Sequence, residues 1–394
     1  MAIKKKRATE ILLRVLDCPG ISCQEAAIAD VVQQVLLEAG VEKSQMTFDS
    51  AHKKTPSPGQ VGNLIVKLPG KASSGKLPAR IMLSAHLDTV PVCEGCEPAK
   101  KGSKIISKNP NTGLGGDDRA GVAAILVAAV ETLEKGGDYP PITLCFFVQE
   151  EIGLQGSRNM TVSKFGKPAM AFNFDGGNPY KLTIGATGGE RMQIALTGLP
   201  AHAGLAPEEG ASAIEASGLA IAQLKNKGWL GKVRKQRKEG TSNIGVIQGG
   251  AATNVVCDHV MVAAEARSHD SEFRDRIASE IESAFVANAA KVTSDDGTAV
   301  KADVVRRVDY DSFRLDEDSE PVALARKAIE KLGVAPETTV SNGGVDANWI
   351  VKHGIPTVTL GCGQRNVHTK EEWLHLPDFY AACEIARSVI SDAS

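Results

Sequence analysis

No run of about 18 apolar residues occurs anywhere in this 394-residue sequence, which excludes a membrane-spanning helix. An excess of charge is missing too. A formal net charge of -2 exerts no long-range pull on polyphosphates, and the basic opening Lys4, Lys5, Lys6 and Arg7 is too short to change that. Neither nucleic acid nor a membrane is therefore expected as a partner. The basic start is not followed by the apolar core of a signal peptide, because Glu10, Arg14 and Asp17 interrupt it, so it reads as a helix beginning in the cytoplasm. There is no internal repeat and no low-complexity tract, and the polar segments 50–59 and 291–298 read as surface loops. The eight cysteines, at 18, 23, 93, 96, 145, 257, 362 and 383, lack the dense spacing of a small disulfide-stapled domain, so reduced thiols are expected. Cys93 and Cys96 in "CEGC" could hold a structural metal or cycle as a redox pair, but without a second such pair ordinary loop cysteines are the plainer reading.

What is present is an ordinary globular composition, 42% hydrophobic and 23% charged, in a chain longer than one hydrophobic core usually serves. Two domains are expected. The first half alternates helix-like 24–39, strand 80–85, helix 119–134, strand 142–148 and strand 170–174, a pattern that implies an α/β fold with a mainly parallel sheet and helices on both faces. In such sheets the chemistry collects at the carboxyl ends of the strands. From about 187 the texture changes to a strand "RMQIALTG", a helix 210–226, strands near 243–248 and 258–266, a helix 271–290 and a strand near 299–307. That β-α-β-β-α-β order predicts an inserted ferredoxin-like lid over 187–310. The helix 319–332, the strand "TVTL" and a closing helix 377–391 then return to the first pattern, so the catalytic domain is expected in two parts, 1–186 and 311–394.

Five segments carry candidate chemistry. In "SAHLDTVP", His86 and Asp88 follow an apolar strand two residues apart, so an extended backbone turns both to one face and can offer a ligand with its orienting carboxylate. A polar strand end in which His86 merely finds a hydrogen bond is the equal alternative. In "GLGGDDRAG", Asp117 and Asp118 sit between a glycine-rich turn and an alanine-rich helix; helix capping explains one carboxylate but not easily both, and the glycines do not fit a dinucleotide fingerprint. In "FFVQEEIGLQGS", Glu150 and Glu151 close an apolar strand, an expensive place for two unpaired charges, although an exposed turn would tolerate them. Neighbours there point different ways, so one could ligate a cation while the other acts as base on a bound water. Asp175 in "AFNFDGG" and His368 in "GCGQRNVHTKEEW" lie after the strands ending near 174 and 360. Histidines and carboxylates gathered at strand ends form a mixed N/O set suited to zinc rather than calcium.

The ordered set "AHLDTVP", "GLGGDDRAG", "VQEEIGLQGS", "FDGG" and "VHTKEEW" resembles the two-zinc metallopeptidases that include aminoacylase, bacterial carboxypeptidases and the tripeptidase called peptidase T, and is most similar to the tripeptidase branch. The resemblance spans nearly the whole chain. It implies that His86 and Asp175 bind one zinc, Glu151 and His368 the other, and Asp117 bridges them, with cobalt or manganese as alternative metals. It further implies that Asp88 steadies His86 and that Glu150 is the general base on a metal-bridging water. In the lid, "PAHAGLAPEEG" places His202 where the family stabilises an oxyanion, in many relatives across a dimer interface; a plain surface histidine is the alternative. "GGAATNVVCD" points to Asn254 as a substrate contact. "EARSHD" points to Arg267 as holder of a substrate carboxylate, for which an ion pair within the protein is an equally cheap use.

The implied activity is removal of the N-terminal residue from tripeptides by a cytoplasmic enzyme, with a homodimer through the lid. An N-acyl amino acid hydrolase or carboxypeptidase is the alternative, and a binding protein without catalysis is disfavoured by the complete ligand set. His52, His259, His269, His353 and His375 match no ligand motif and read as surface or packing residues; Asp346 reads as a turn or helix cap or as a neighbour of the site. The segment "VPVCEGCEPAKKGSK" departs from the tripeptidase pattern, and "AHAG" and "TNVVCD" lean toward aminoacylase and carboxypeptidase.

Overall fold

Four strands, Ile81–His86, Ile142–Phe147, Met170–Phe174 and Thr357–Leu360, are buried at every position. Continuous apolar runs of this kind are what parallel strands need when helices cover both faces. In the computed structural model, which describes residues 3–393, these strands lie side by side and parallel, in the spatial order 142, 81, 170, 357. The registers pair His86 with Phe147 and Leu360 with Phe174, so the carboxyl ends finish at one edge of the sheet. His86, Glu150, Glu151 and Asp175 are thereby delivered to the same place.

The flanks differ from a purely parallel sheet. Leu64–Leu68 runs antiparallel to Ile142–Phe147, Met46–Phe48 runs antiparallel beside it, and Lys181–Ala186 runs antiparallel to Thr357–Leu360. Their antiparallel pairing is not written in their apolar pattern: Leu64–Leu68, "LIVKL", is as apolar as a parallel strand, and only its neighbour sets its direction. The helix Gly116–Lys135 is almost wholly buried beneath the sheet, its alanines letting it approach closely, and Lys5–Leu16 and Leu376–Asp392 pack against it. A smaller apolar cluster including Met82, Phe147, Phe165 and Ile350 forms a separate core. The segment after the first motif forms a hairpin, Pro98–Lys101 with Lys104–Ser107, in a small sheet with Gln364–Arg365 and Trp373–His375. The two cysteines of "CEGC" precede that hairpin as free thiols.

By its internal contacts the chain divides into two compact units, Ala186–Phe313 with Asn342–Gly344 forming the second and the remainder the first. In the second unit Gly188–Thr197 is flanked by His259–Ser268 and Lys301–Tyr310, with Lys238–Gly249 beyond, all antiparallel. The helices Ala213–Asn226 and Ser271–Ala289 start at side-chain caps, where Ser212 accepts from Glu215 N at 3.2 Å and Asp270 from Phe273 N at 2.8 Å. The helix Ser271–Ala289 packs on the face where Val260, Val262 and Ala266 are buried. This is the ferredoxin-like order with one strand more. Gly231–Lys235 hairpins onto Lys238–Gly249, its charged sequence "GKVRK" giving no apolar signal of a strand.

Candidate metal centre

Two imidazoles face one carboxylate. His86 Nε2 lies 3.4 Å from Asp117 Oδ1, and His368 Nε2 lies 3.3 Å from Asp117 Oδ2. The second imidazole also meets Glu151, with His368 Nε2 3.0 Å from its carboxylate. His86, Asp117 and Glu151 thus offer three donor atoms within 4.8 Å of one another, and His86, Asp118 and Asp175 form a second such group. His368 reaches in from an irregular loop, at φ 63° and half exposed.

The adjacent aspartates divide their work as the capping argument requires. Asp118 is spent: its Oδ1 accepts from Gly121 N and Gln364 Nε2, both at 3.1 Å, and its Oδ2 from His86 N at 3.2 Å. Asp117 Oδ1, by contrast, is buried with no hydrogen-bond partner. A buried oxygen without a hydrogen-bond partner, facing a histidine, suits a cation ligand, and Asp117 rather than Asp118 has one to offer.

Electrostatics agree. Burial pushes the Glu150 carboxyl well up, with Asp175, Asp346 and Glu151 adding repulsion, and burial and Asp117 push Asp175 up to about 7. Burial also raises Glu151. Against the same burial, His368 and His86 hold Asp117 well below the usual carboxylate range, while Asp117 and Glu151 push His368 up to about 10. So many acids around two bases are mutually destabilising without added positive charge, and divalent cations supply it. The donor set, imidazole and carboxylate, fits zinc.

Behind His86 the arrangement is more specific than the sequence suggests. His86 Nδ1 lies 2.9 Å from the backbone oxygen of Asp88 and 3.5 Å from its carboxylate. The fully buried Asp88 carboxylate mainly serves the neighbouring motif, accepting from Glu150 N at 2.9 Å, Glu151 N at 3.2 Å and Ser22 Oγ at 2.7 Å. It therefore aims the two glutamates as well as the histidine.

Sequence reading missed Ser22, Glu25, Gln364 and Glu372. Glu25 is fully buried, and its Oε1 accepts from Cys23 N at 2.8 Å and Gln149 N at 3.1 Å. No short-range pattern marks these residues, except that Gln364 and Glu372 share the segment of His368. Asp346 is buried, and burial pushes it up to about 7; its charge bears on Glu150 and Asp175, which places it beside the site, and it also starts the helix Ala347–Lys352. A cavity of about 440 Å³ borders the centre, lined by Asp117, Asp175, Thr183, Ser341, Thr359 and Asn366.

His202 and Asn254 lie in the second unit on neighbouring loops, where Ala203 N donates to Asn254 O at 3.0 Å; His202 is exposed and its Nδ1 accepts from Gly204 N at 3.1 Å. Arg267 is engaged in a two-pronged ion pair with Glu265, at 3.1 and 3.0 Å. His375 pairs with Asp378 at 3.0 Å, and His269 contacts Asn342 at 3.0 Å.

Residues 82–392 match the peptidase family M20/M25/M40. The chain belongs to that family. Membership makes it a metal-dependent peptide hydrolase. It is 32% identical over 400 residues to the Bacillus subtilis (strain 168) protein YqjE, covering 100% of both chains. Its structure is similar to that of aminopeptidase PepT from Bacillus cereus ATCC 10987, with a TM-score of 0.85, 32% identity and 99% of each chain covered. It is also similar to a tripeptidase from Staphylococcus aureus, with a TM-score of 0.89, 26% identity, and 100% of this chain and 99% of the other covered. Among the described residues, no helix is long and apolar enough to cross a membrane.

Proposed function

We propose that this peptidase is a two-zinc aminopeptidase that removes the N-terminal residue of tripeptides. The observation that carries the reading is the Asp117 carboxylate set between His86 and His368, 3.4 and 3.3 Å from their ring nitrogens, with Glu151 against the second ring. In this reading His86 and Asp175 would hold one ion and Glu151 and His368 the other, with Asp117 available to both. When bound, the ions make a water acidic enough to attack near neutral pH and take up negative charge from the carbonyl. Glu150, raised by burial and its acidic neighbours, receives the proton of the attacking water and passes it to the leaving amine. Asp88 holds Glu150 and Glu151 by their backbone N–H groups.

The names of the two solved relatives support the substrate class, an aminopeptidase and a tripeptidase. His202 would stabilise the oxyanion, Asn254 would contact substrate and Arg267 would hold the peptide carboxylate, which requires it to leave Glu265. The exposed Ile214 and Ile247 suit a homodimer through the second unit, which equilibrium sedimentation tests. Eight free thiols suit the cytoplasm.

The deciding experiment compares a free tripeptide with its N-acetylated and C-amidated forms, using zinc-loaded protein before and after chelation. Acetylation should abolish cleavage, and chelation should do so reversibly. Cleavage that survives acetylation but not amidation would replace the aminopeptidase with a carboxypeptidase or N-acyl hydrolase. Glu150→Ala should keep two zinc ions and lose nearly all turnover; activity within about tenfold of the unaltered protein removes Glu150 from the role of base. Glu151→Ala should lose metal.

A further inference from the structure

Two side chains bracket His368 in sequence and reach across to the turn that carries Asp117. After it comes Glu372, 3% exposed, with both oxygens used on backbone donors of that turn: Oε2 accepts from Gly115 N at 2.7 Å and Oε1 from Asp117 N at 3.0 Å. The Cys93 thiol also donates to Oε2, at 3.5 Å. Before it comes Gln364, whose Nε2 donates to Asp118 Oδ1 at 3.1 Å. The turn is shaped for this carboxylate. Gly115 sits at φ 72°, and a Cβ on Gly113 or Gly116 would come within 3.2 Å of a Glu372 oxygen.

A third buried acid beside Asp117 and Asp118 adds repulsion to a crowded centre, so its value lies in geometry. Asp117 and His368 are 251 residues apart, and His368 stands in a loop at positive φ with half its side chain exposed. The strands Gln364–Arg365 and Trp373–His375 hold the ends of that loop to each other. Glu372 and Gln364 add the bonds that fasten those ends to the aspartate turn.

We propose that Glu372 is a positioning residue which, assisted by Gln364, keeps the Asp117 turn and the His368 loop in register so that both close on the same cation. This rests on the ligand set proposed above. Glu372→Gln replaces one accepting oxygen with an N–H₂ group that cannot take an N–H bond, so one of the two backbone anchors is lost while shape is kept. The test titrates the metal-free protein with cobalt and follows the visible absorption of the bound ion. The unaltered chain should take two ions. Glu372→Gln should bind the weaker-held ion about 10–100-fold less tightly, with a changed absorption band, and Gln364→Ala should show a smaller loss of the same kind. Both variants should keep the far-ultraviolet circular dichroism of the metal-free protein. Two ions bound at unaltered affinity by folded Glu372→Gln overturns the proposal; if that variant does not fold, unaltered affinities in Gln364→Ala overturn it instead. Fewer than two ions on the unaltered chain, or two retained by Asp117→Ala, strikes the ligand set itself and is thus told apart from a failure of Glu372 alone.

Discussion

Removing the Asp88 carboxylate should loosen the glutamate turn more than the histidine. Asp88→Ala strands Glu150 N and Glu151 N, which it accepts at 2.9 and 3.2 Å, while the Ser22 hydroxyl can rotate to another partner. Each backbone donor left unpaired costs about 1–3 kcal/mol, so the pair amounts to about 2–6 kcal/mol of local stability. His86 keeps its 2.9 Å contact with the backbone oxygen of residue 88, so its ring stays oriented. Hydrogen exchange read by mass spectrometry on a peptide spanning 147–152 is the direct assay. At about 1.4 kcal/mol per decade, those amides should exchange at least tenfold faster in the metal-free variant, and metal affinity should fall about 10–100-fold. If exchange there is unchanged while the peptide containing His86 is deprotected, Asp88 acts through the histidine and the reasoning fails.

Burial and Asp88 push Glu25 from an ordinary 4.5 up to about 7. Because the folded-state value is raised, the folded chain holds the extra proton, and this carboxyl's favourable contribution is lost as pH rises from about 5 through 7. Glu25→Gln keeps the oxygen that accepts from Cys23 N and Gln149 N, so it should melt higher than the unaltered metal-free protein at pH 8 and no higher at pH 5; a gain equal at both pH values contradicts this. Gly121→Ala should cost about 3 kcal/mol or more in thermal melting, since a Cβ there would lie 1.9 Å from Phe174 O and 2.5 Å from Asp118 Oδ1; a melting point within a degree of the original refutes the close approach. In the second unit, Glu190 is 3% exposed and receives Arg306 Nε at 2.7 Å with Arg274 Nε 3.5 Å away, so Glu190→Ala removes the carboxylate shared by the two arginines, although Arg306 keeps Asp275 and Glu282 and Arg274 keeps Asp311. A loss of about 1–3 kcal/mol is expected in urea unfolding followed by the buried Trp229 of that unit, and an unmoved midpoint refutes it.

The primary sequence by itself determined the element types of the α/β layer and the polar residues that stand at the carboxyl ends of its strands. Short, mainly apolar runs at 81–86, 142–147, 170–174 and 357–360 have the length and β-branched or aromatic content of buried strands, and polar ligand types immediately after them are costly unless used. These signals are local, so a linear reading captures them. Tertiary structure decided which carboxylate does what. Asp117 and Asp118 are alike in sequence, and only the folded chain, by filling Asp118 with donors from Gly121, His86 and Gln364, leaves Asp117 free. Glu372, Glu25 and Ser22 acquire their meaning in the same way, from hydrogen bonds closed across 66 to 257 residues, and the antiparallel direction of the edge strands is set by the neighbours they pair with. Apolar periodicity is written along the chain, whereas hydrogen-bond partnership is settled only when distant segments meet.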